Sequence, residues 1–202
     1  MQIHNATFVK SHVALETLKE TDKPEFAFVG RSNVGKSSLI NMIVGGKKDL
    51  AIVSSKPGRT QAINEFLINK KWNLIDLPGY GYAKTSQKQK EKFQEFVSDY
   101  LLNRENLTCV FALIDSKIPP QDIDLQFTEW LMECEIPFIL IFTKADKSKP
   151  NASLRNIEKF YEAMAEFCEG PPRYYLTSSA NRQGRKDVLD FIEAAIQNVE
   201  SS

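Results

Sequence analysis

The sequence predicts a three-layer α/β domain: a mostly parallel central sheet with one antiparallel edge hairpin, covered by helices on both faces. Three observations predict it. Short β-rich runs alternate with longer helical patterns almost from end to end. Four of the runs, "EFAFVG" (25–30), "LTCVFALID" (107–115), "PFILIFTKAD" (137–146) and "RYYLTSS" (173–179), are rich in apolar residues, as strands buried on both faces are. Helical patterns separate them, and strands joined through helices pair in parallel by right-handed crossovers.

A chain of 202 residues, 42% hydrophobic and without a shift in composition, reads as one domain over 1–202. Residues 1–22 form an N-terminal extension expected to pack on it. Lysine plus arginine balance aspartate plus glutamate at 26 each, so no global field gathers nucleic acid or membrane, although a local patch remains open. Cys109, Cys134 and Cys168 lack the close pairing of a metal knuckle or redox motif and read as buried thiols in a reducing compartment. No window approaches the ~18 apolar residues of a membrane span, so a cytosolic protein is expected. His4 and His12 have no nearby cysteine or carboxylate cluster and read as ordinary surface or edge-strand residues.

The elements follow in order. "EFAFVG" feeds directly into "KSSLINMIVGG", an apolar-periodic helix closed by glycines. "AINEFLIN" and "KWNLIDL" are two strands joined by the polar turn Asn69-Lys70-Lys71, a hairpin. "SQKQKEKFQEFVSDYLLN" sets Phe93, Phe96, Val97, Tyr100 and Leu101 at helical spacing, and "QDIDLQFTEWLMECE" carries the core stripe Phe127, Trp130 and Leu131. "SLRNIEKFYEAMAEFCEG" is a helix ended by Gly170 and Pro171-Pro172, and "RKDVLDFIEAAIQNV" is the last.

In such sheets ligands bind beyond the carboxyl ends of the strands. "GRSNVGKS" (30–37) lies there, between a strand and a helix N-terminus. Gly30 and Gly35 let the backbone turn N–H groups inward, Lys36 reaches outer phosphates, and the Ser37 hydroxyl suits a magnesium ion. "NLIDLPGYG" puts Asp76 at a strand end, where a carboxylate holds magnesium through water, and offers the Gly79 N–H to a γ-phosphate; alone, Asp-Leu-Pro-Gly is also a common turn. "SSKPGRTQ" marks a loop whose Thr60 supplies a hydroxyl to magnesium and an N–H to the γ-phosphate, unless Thr60 simply starts a strand. "TKAD" ends another strand. A carboxylate at Asp146 accepts two hydrogen bonds from the ring N–H and amine of guanine, which adenine cannot offer. Lys144 can lie along the purine, and "TSS" (177–179) can offer N–H donors to the guanine carbonyl oxygen.

Together "GRSNVGKSSLIN", "PGRTQAIN", "DLPGYGYA" and "TKAD", in this order, resemble the EngB (YihA/YsxC) group of bacterial GTP-binding proteins, within the translation-factor-related P-loop GTPases. The resemblance runs from the first of the buried strands to the last helix. It implies a Ras-like P-loop GTPase domain that binds GTP and GDP with Mg2+, is monomeric, acts in assembly of the large ribosomal subunit, and affects cell division and septation. The nucleotide site then comprises Gly30, Arg31, Ser32, Asn33, Val34, Gly35, Lys36, Ser37 and Ser38; Gly58, Arg59 and Thr60; Asp76, Leu77, Pro78 and Gly79; Thr143, Lys144, Ala145 and Asp146; and Thr177, Ser178 and Ser179. Ser37, Thr60 and Asp76 are the metal candidates, and Lys36, Thr60, Gly79 and Asn33 the catalytic ones.

Many GTPases carry a glutamine directly after Asp-x-x-Gly to orient the attacking water. Here Tyr80 stands at that position, and a phenol of pKa about 10 is a poor base at neutral pH, so slow intrinsic hydrolysis is expected. A potassium ion coordinated by Asn33 can replace the missing charge; alternatively Asn33 hydrogen-bonds within the phosphate loop. The segment "YGYAKTSQKQKEK" after Gly79, where Lys84, Lys88, Lys90 and Lys92 offer phosphate contacts beside the Tyr80 and Tyr82 rings that can stack on unpaired bases, is the expected ribosomal contact; alternatively it is a solvated helix face with loop tyrosines. Two other classes stay open: a metabolic P-loop kinase, which needs an acceptor pocket, and a constitutive RNA-binding module.

Overall fold

The computed structural model describes residues 1–19, 21–45, 62–80 and 87–200. Gly58, Arg59 and Thr60 lie outside the described residues, as do Tyr82 and Lys84. The elements are β1 (Ala6–His12), β2 (Glu25–Gly30), α1 (Lys36–Ile43), β3 (Ile63–Ile68), β4 (Trp72–Asp76), α2 (Gln87–Asn103), β5 (Leu107–Asp115), α3 (Asp122–Glu133), β6 (Phe138–Thr143), α4 (Pro150–Met164), β7 (Tyr174–Leu176) and α5 (Arg185–Glu200). They build a seven-stranded sheet in the order β1-β3-β4-β2-β5-β6-β7.

Strands β4, β2, β5, β6 and β7 pair in parallel, as the alternation of strands and helices predicts. Every residue of β2 and β4 is buried. The period of two divides them cleanly: Phe26 and Phe28 point with Phe111 and Leu113 into the core under α1 and α5, while Ala27 and Val29 point with Val110 and Ala112 into the core under α2, α3 and α4. Both faces therefore need apolar side chains, which is why these strands read as continuous runs. Among the described residues no helix is long and apolar enough to cross a membrane.

The hairpin β3-β4 turns through Asn69 and Lys70, both with positive φ (50° and 57°), and the Lys71 N–H closes it on the Ile68 carbonyl at 2.9 Å. Such mirror-image turns match the strand twist. One strand lies further out. The first part of the chain, expected only as a packed extension, forms β1, antiparallel to β3 from Ala6 opposite Ile68 to His12 opposite Ile63. Asn69 holds it there, its amide oxygen accepting from the His4 and Asn5 N–H groups and its amide nitrogen donating to the Gln2 carbonyl. His12 is an edge-strand residue, yet it is buried, its ring between the Thr17 hydroxyl and the Glu65 carboxylate at 3.0 Å each.

Two helical boundaries differ from the sequence reading. α4 starts at Pro150, whose missing N–H costs nothing in a first turn, and ends at Met164, well before Gly170. β7 stops at Leu176, so Thr177, Ser178 and Ser179 leave the sheet at the end where the predicted site lies.

At the opposite end, Glu25 begins β2 fully buried. Its Oε2 accepts from the Tyr100 hydroxyl at 2.8 Å and from Arg104 Nε at 2.9 Å, and Oε1 accepts from Arg104 Nη2 at 2.7 Å. This anchors the last turn of α2 to the sheet. Glu25→Ala leaves the Arg104 guanidinium half-enclosed without its carboxylate and is expected to destabilise the fold by about 3–5 kcal/mol. Urea unfolding measures this, and a loss below about 1 kcal/mol would assign the anchor to apolar packing instead.

Candidate functional site

Gly30 ends β2 where no side chain fits: a Cβ would lie 2.8 Å from the Leu113 carbonyl oxygen and 2.9 Å from Leu113 Cβ. The chain then turns through Asn33 and Gly35, with φ of 66° and 102°, into the first turn of α1. Glycine takes the second conformation without strain. No side chain caps this helix start, so its leading N–H groups face the loop as anion donors do. The buried Val34 fixes the loop from below, its carbonyl accepting from the Thr143 hydroxyl at 2.6 Å.

Lys36 opens α1 and its ammonium donates to the Asp76 carboxylate, which ends β4 and also accepts from Asn64 Nδ2 at 3.3 Å. Beyond Asp76 the chain runs alongside the loop. The Leu77 N–H donates to the Phe28 carbonyl at 3.0 Å, and the Tyr80 N–H to the Gly30 carbonyl at 3.3 Å. Gly79 passes so near that a Cβ there would sit 2.7 Å from the Gly30 oxygen.

Tyr80, expected to offer its ring to unpaired bases, packs within the protein instead. Its hydroxyl donates to Asp124 Oδ1 at 2.9 Å and its ring lies 4.8 Å from that of Phe127. Burial above all, and then the Asp124 charge, push the phenol well above its ordinary pKa, so it stays protonated at neutral pH.

The remaining residues gather at the ends of β6 and β7. Lys144, in the left-handed region at φ 61°, donates Nζ to the Asn33 carbonyl at 2.7 Å and to Asp115 Oδ2 at 2.6 Å. With the Thr143 hydroxyl on Val34, this ties the 143–146 segment to the phosphate loop through two side chains. The Ala145 N–H donates to the Thr177 carbonyl at 3.1 Å, and the Thr177 N–H to that of Phe142 at 2.7 Å. Asp146 receives the Ser178 hydroxyl at 2.6 Å and the Lys147 ammonium at 3.2 Å. The Ser178 hydroxyl first, with help from Lys147, holds its carboxyl below the usual range, leaving an ionised acceptor.

Ser178 differs from its sequence reading. Its N–H, expected to face a ligand carbonyl, donates within its own loop to Gln183 at 3.2 Å, and its hydroxyl orients Asp146. Ser179 lines the adjoining cleft of about 550 Å3, together with Gly35, Ser38, Lys144, Asp146 and Lys147.

The fold therefore brings Gly30–Ser38, Asp76–Gly79, Thr143–Asp146 and Thr177–Ser179 to one end of the sheet. Sequence reasoning missed three carboxylate or amide partners: Asp115, Asp124 and Asn64. Two left a signal. Asp115 closes an otherwise apolar strand, and Asp124 shares the buried helix face with Thr128 and Leu131, at four- and three-residue steps.

The family described as 50S ribosome-binding GTPase matches residues 25–144. A probable GTP-binding protein EngB of Christiangramia forsetii is 51% identical over 193 residues, 96% of this chain and 97% of that one. The corresponding protein of Bacteroides fragilis is 49% identical over the full length of both. Among solved structures, that of a probable GTP-binding protein EngB superposes with a TM-score of 0.66 at 26% identity, covering 86% of this chain and 99% of the other. The G domain of the T. maritima FeoB iron transporter does so at 0.56 and 27%, covering 88% and 99%.

Proposed function

Because this chain belongs to the 50S ribosome-binding GTPase family, in the group of EngB GTP-binding proteins, we propose that the cleft described above takes GTP and GDP and that the chain is a GTP-dependent switch acting on the large ribosomal subunit or its precursor. One observation carries the site reading: four strand-end segments converge, with Lys144 bonded directly to the phosphate loop at Asn33. In this reading the α1 N-terminus and Lys36 bind the phosphates, and Asp146 receives the guanine ring N–H and amine. Lys144 lies along the base, Ser179 faces its carbonyl oxygen, and Gly79 offers its N–H to the γ-phosphate. The chain acts as a single, monomeric G domain over 1–202 in the cytoplasm, and its loss impairs ribosome assembly and hence cell division.

Magnesium fits this donor set. It takes hard oxygens and, on a nucleotide, needs only one or two from the protein. The Ser37 hydroxyl and Asp76 carboxylate are such donors, on two elements that the Lys36–Asp76 pair joins; Thr60 is the third candidate. When bound, the ion neutralises charge on the outer phosphate oxygens.

Hydrolysis without a partner is slow in this account, since Tyr80 is both protonated and held by Asp124. Potassium at Asn33 supplies part of the missing charge. Turnover at equal ionic strength is then about tenfold faster in potassium than in sodium chloride, equivalent to roughly 1.4 kcal/mol of barrier. Asn33→Ala removes the difference, and equal rates in both salts would assign that charge to the ribosome. The site itself is tested by calorimetric titration with GTP, GDP and ATP: guanine nucleotides bind and ATP does not. ATP binding of equal strength would favour a P-loop kinase.

A further inference from the structure

Three side chains from distant parts of the chain meet beside the phosphate loop. Arg31, the first residue beyond β2, directs Nε to both oxygens of Asp124 at 2.9 Å, and the Tyr80 hydroxyl donates to Asp124 Oδ1 at the same distance. Asp124 lies in the first turn of α3 and is 1% exposed. A carboxylate so enclosed needs its partners, and Arg31 supplies the compensating charge.

The backbone beneath is joined as well. The Ser32 N–H, in the phosphate loop, donates to the Tyr80 carbonyl at 3.1 Å, next to the bond from the Tyr80 N–H to Gly30. The Lys36 ammonium donates to Asp76. The Lys36 ammonium, a donor of the phosphate cradle, and the Ser32 N–H of the same loop are therefore engaged by acceptors of the protein itself, and both acceptors belong to the segment from Asp76 to Tyr80. On the nucleotide-site reading above, a γ-phosphate draws on the same Lys36 ammonium, so that segment competes with it. GDP carries no γ-phosphate and meets less of this competition.

We propose that Asp124 is a positioning residue that biases the site toward GDP: by holding the Tyr80 hydroxyl, it keeps the Asp76–Tyr80 segment against the outer-phosphate donor Lys36. This rests on the nucleotide-site reading above and assigns the tyrosine at the glutamine position a purpose. It is the handle by which α3 holds the segment, and GTP must release it.

Affinities of the full chain for GDP and for a non-hydrolysable GTP analogue, measured by calorimetry with magnesium, test the proposal. Tyr80→Phe keeps the ring against Phe127 and removes only the hydroxyl. It is expected to raise analogue affinity relative to GDP by about tenfold, the lower end of what a hydrogen bond to a charged group contributes. Asp124→Asn retains an acceptor but loses the ion pair, and shifts the ratio less, in the same direction. A merely structural role lowers the melting temperature, or weakens both nucleotides in proportion, and leaves the ratio unmoved. An unmoved ratio in folded Tyr80→Phe, or one shifted toward GDP, overturns the proposal while leaving the site reading intact. Failure of the unaltered chain to bind either nucleotide overturns both.

Discussion

Asp146→Asn is expected to abolish the preference for guanine and create one for xanthine. The carboxylate accepts two hydrogen bonds from the base in the proposed site; an amide places a donor against one of those donors. Losing two charge-assisted bonds costs about 3–5 kcal/mol, on the order of a hundred- to several-thousand-fold in Kd for GTP. Xanthine presents a carbonyl where guanine has its amine, so the amide suits it, and xanthosine triphosphate regains most of the lost affinity. Direct titration of both nucleotides against both proteins checks this. The Ser178 hydroxyl and Lys147 also make a pH prediction. They hold the carboxyl below its ordinary pKa, so the acceptor stays charged down through that ordinary value. Base selectivity therefore persists in mild acid and fades only below it. Full GTP affinity in Asp146→Asn would remove Asp146 from base recognition.

Lys36→Ala is expected to lower single-turnover GTP hydrolysis by roughly 10²–10³-fold, the range seen when one preorganised donor to developing charge is lost. The ammonium stands at the start of α1, beside the leading N–H groups of that helix. Its loss also leaves Asp76, 5% exposed, with Asn64 as its described side-chain partner, so GTP and GDP affinities both fall. Lys36→Arg does not restore the rate, because a planar fork replaces a compact point charge. Thermal unfolding run alongside separates this from misfolding. A folded Lys36→Ala protein with unaltered turnover would place phosphate activation elsewhere.

The legible parts of this molecule are those in which chemistry is local in sequence. Gly30 to Ser37 carries its turn glycines, lysine and hydroxyl within one strand-to-helix junction, and β2, β5 and β6 are buried on both faces, so their runs are apolar without alternation. The edge strand β1 was harder to read. Residues 7–11 are exposed apart from the pairing that Asn69 imposes from across the sheet, and no periodicity announces a contact with the hairpin turn. Arg31, Tyr80 and Asp124 come from the loop after β2, the segment after β4 and the first turn of α3, 93 positions apart at the extremes, and only the sheet order makes them neighbours. The Ser178 result has the same origin. Its position beyond β7 was readable, but the Gln183 carbonyl that takes up its N–H depends on how the following loop returns.

The proposed switch is tested most directly by co-sedimentation with ribosomal particles. The full chain, loaded either with a non-hydrolysable GTP analogue or with GDP, is centrifuged with purified large subunits, small subunits and large-subunit precursors. The account predicts that the analogue-loaded protein pellets with large subunits or their precursors, that GDP-loaded protein stays in the supernatant, and that neither form pellets with small subunits. Equal pelleting in both nucleotide states, or none in either, would contradict it.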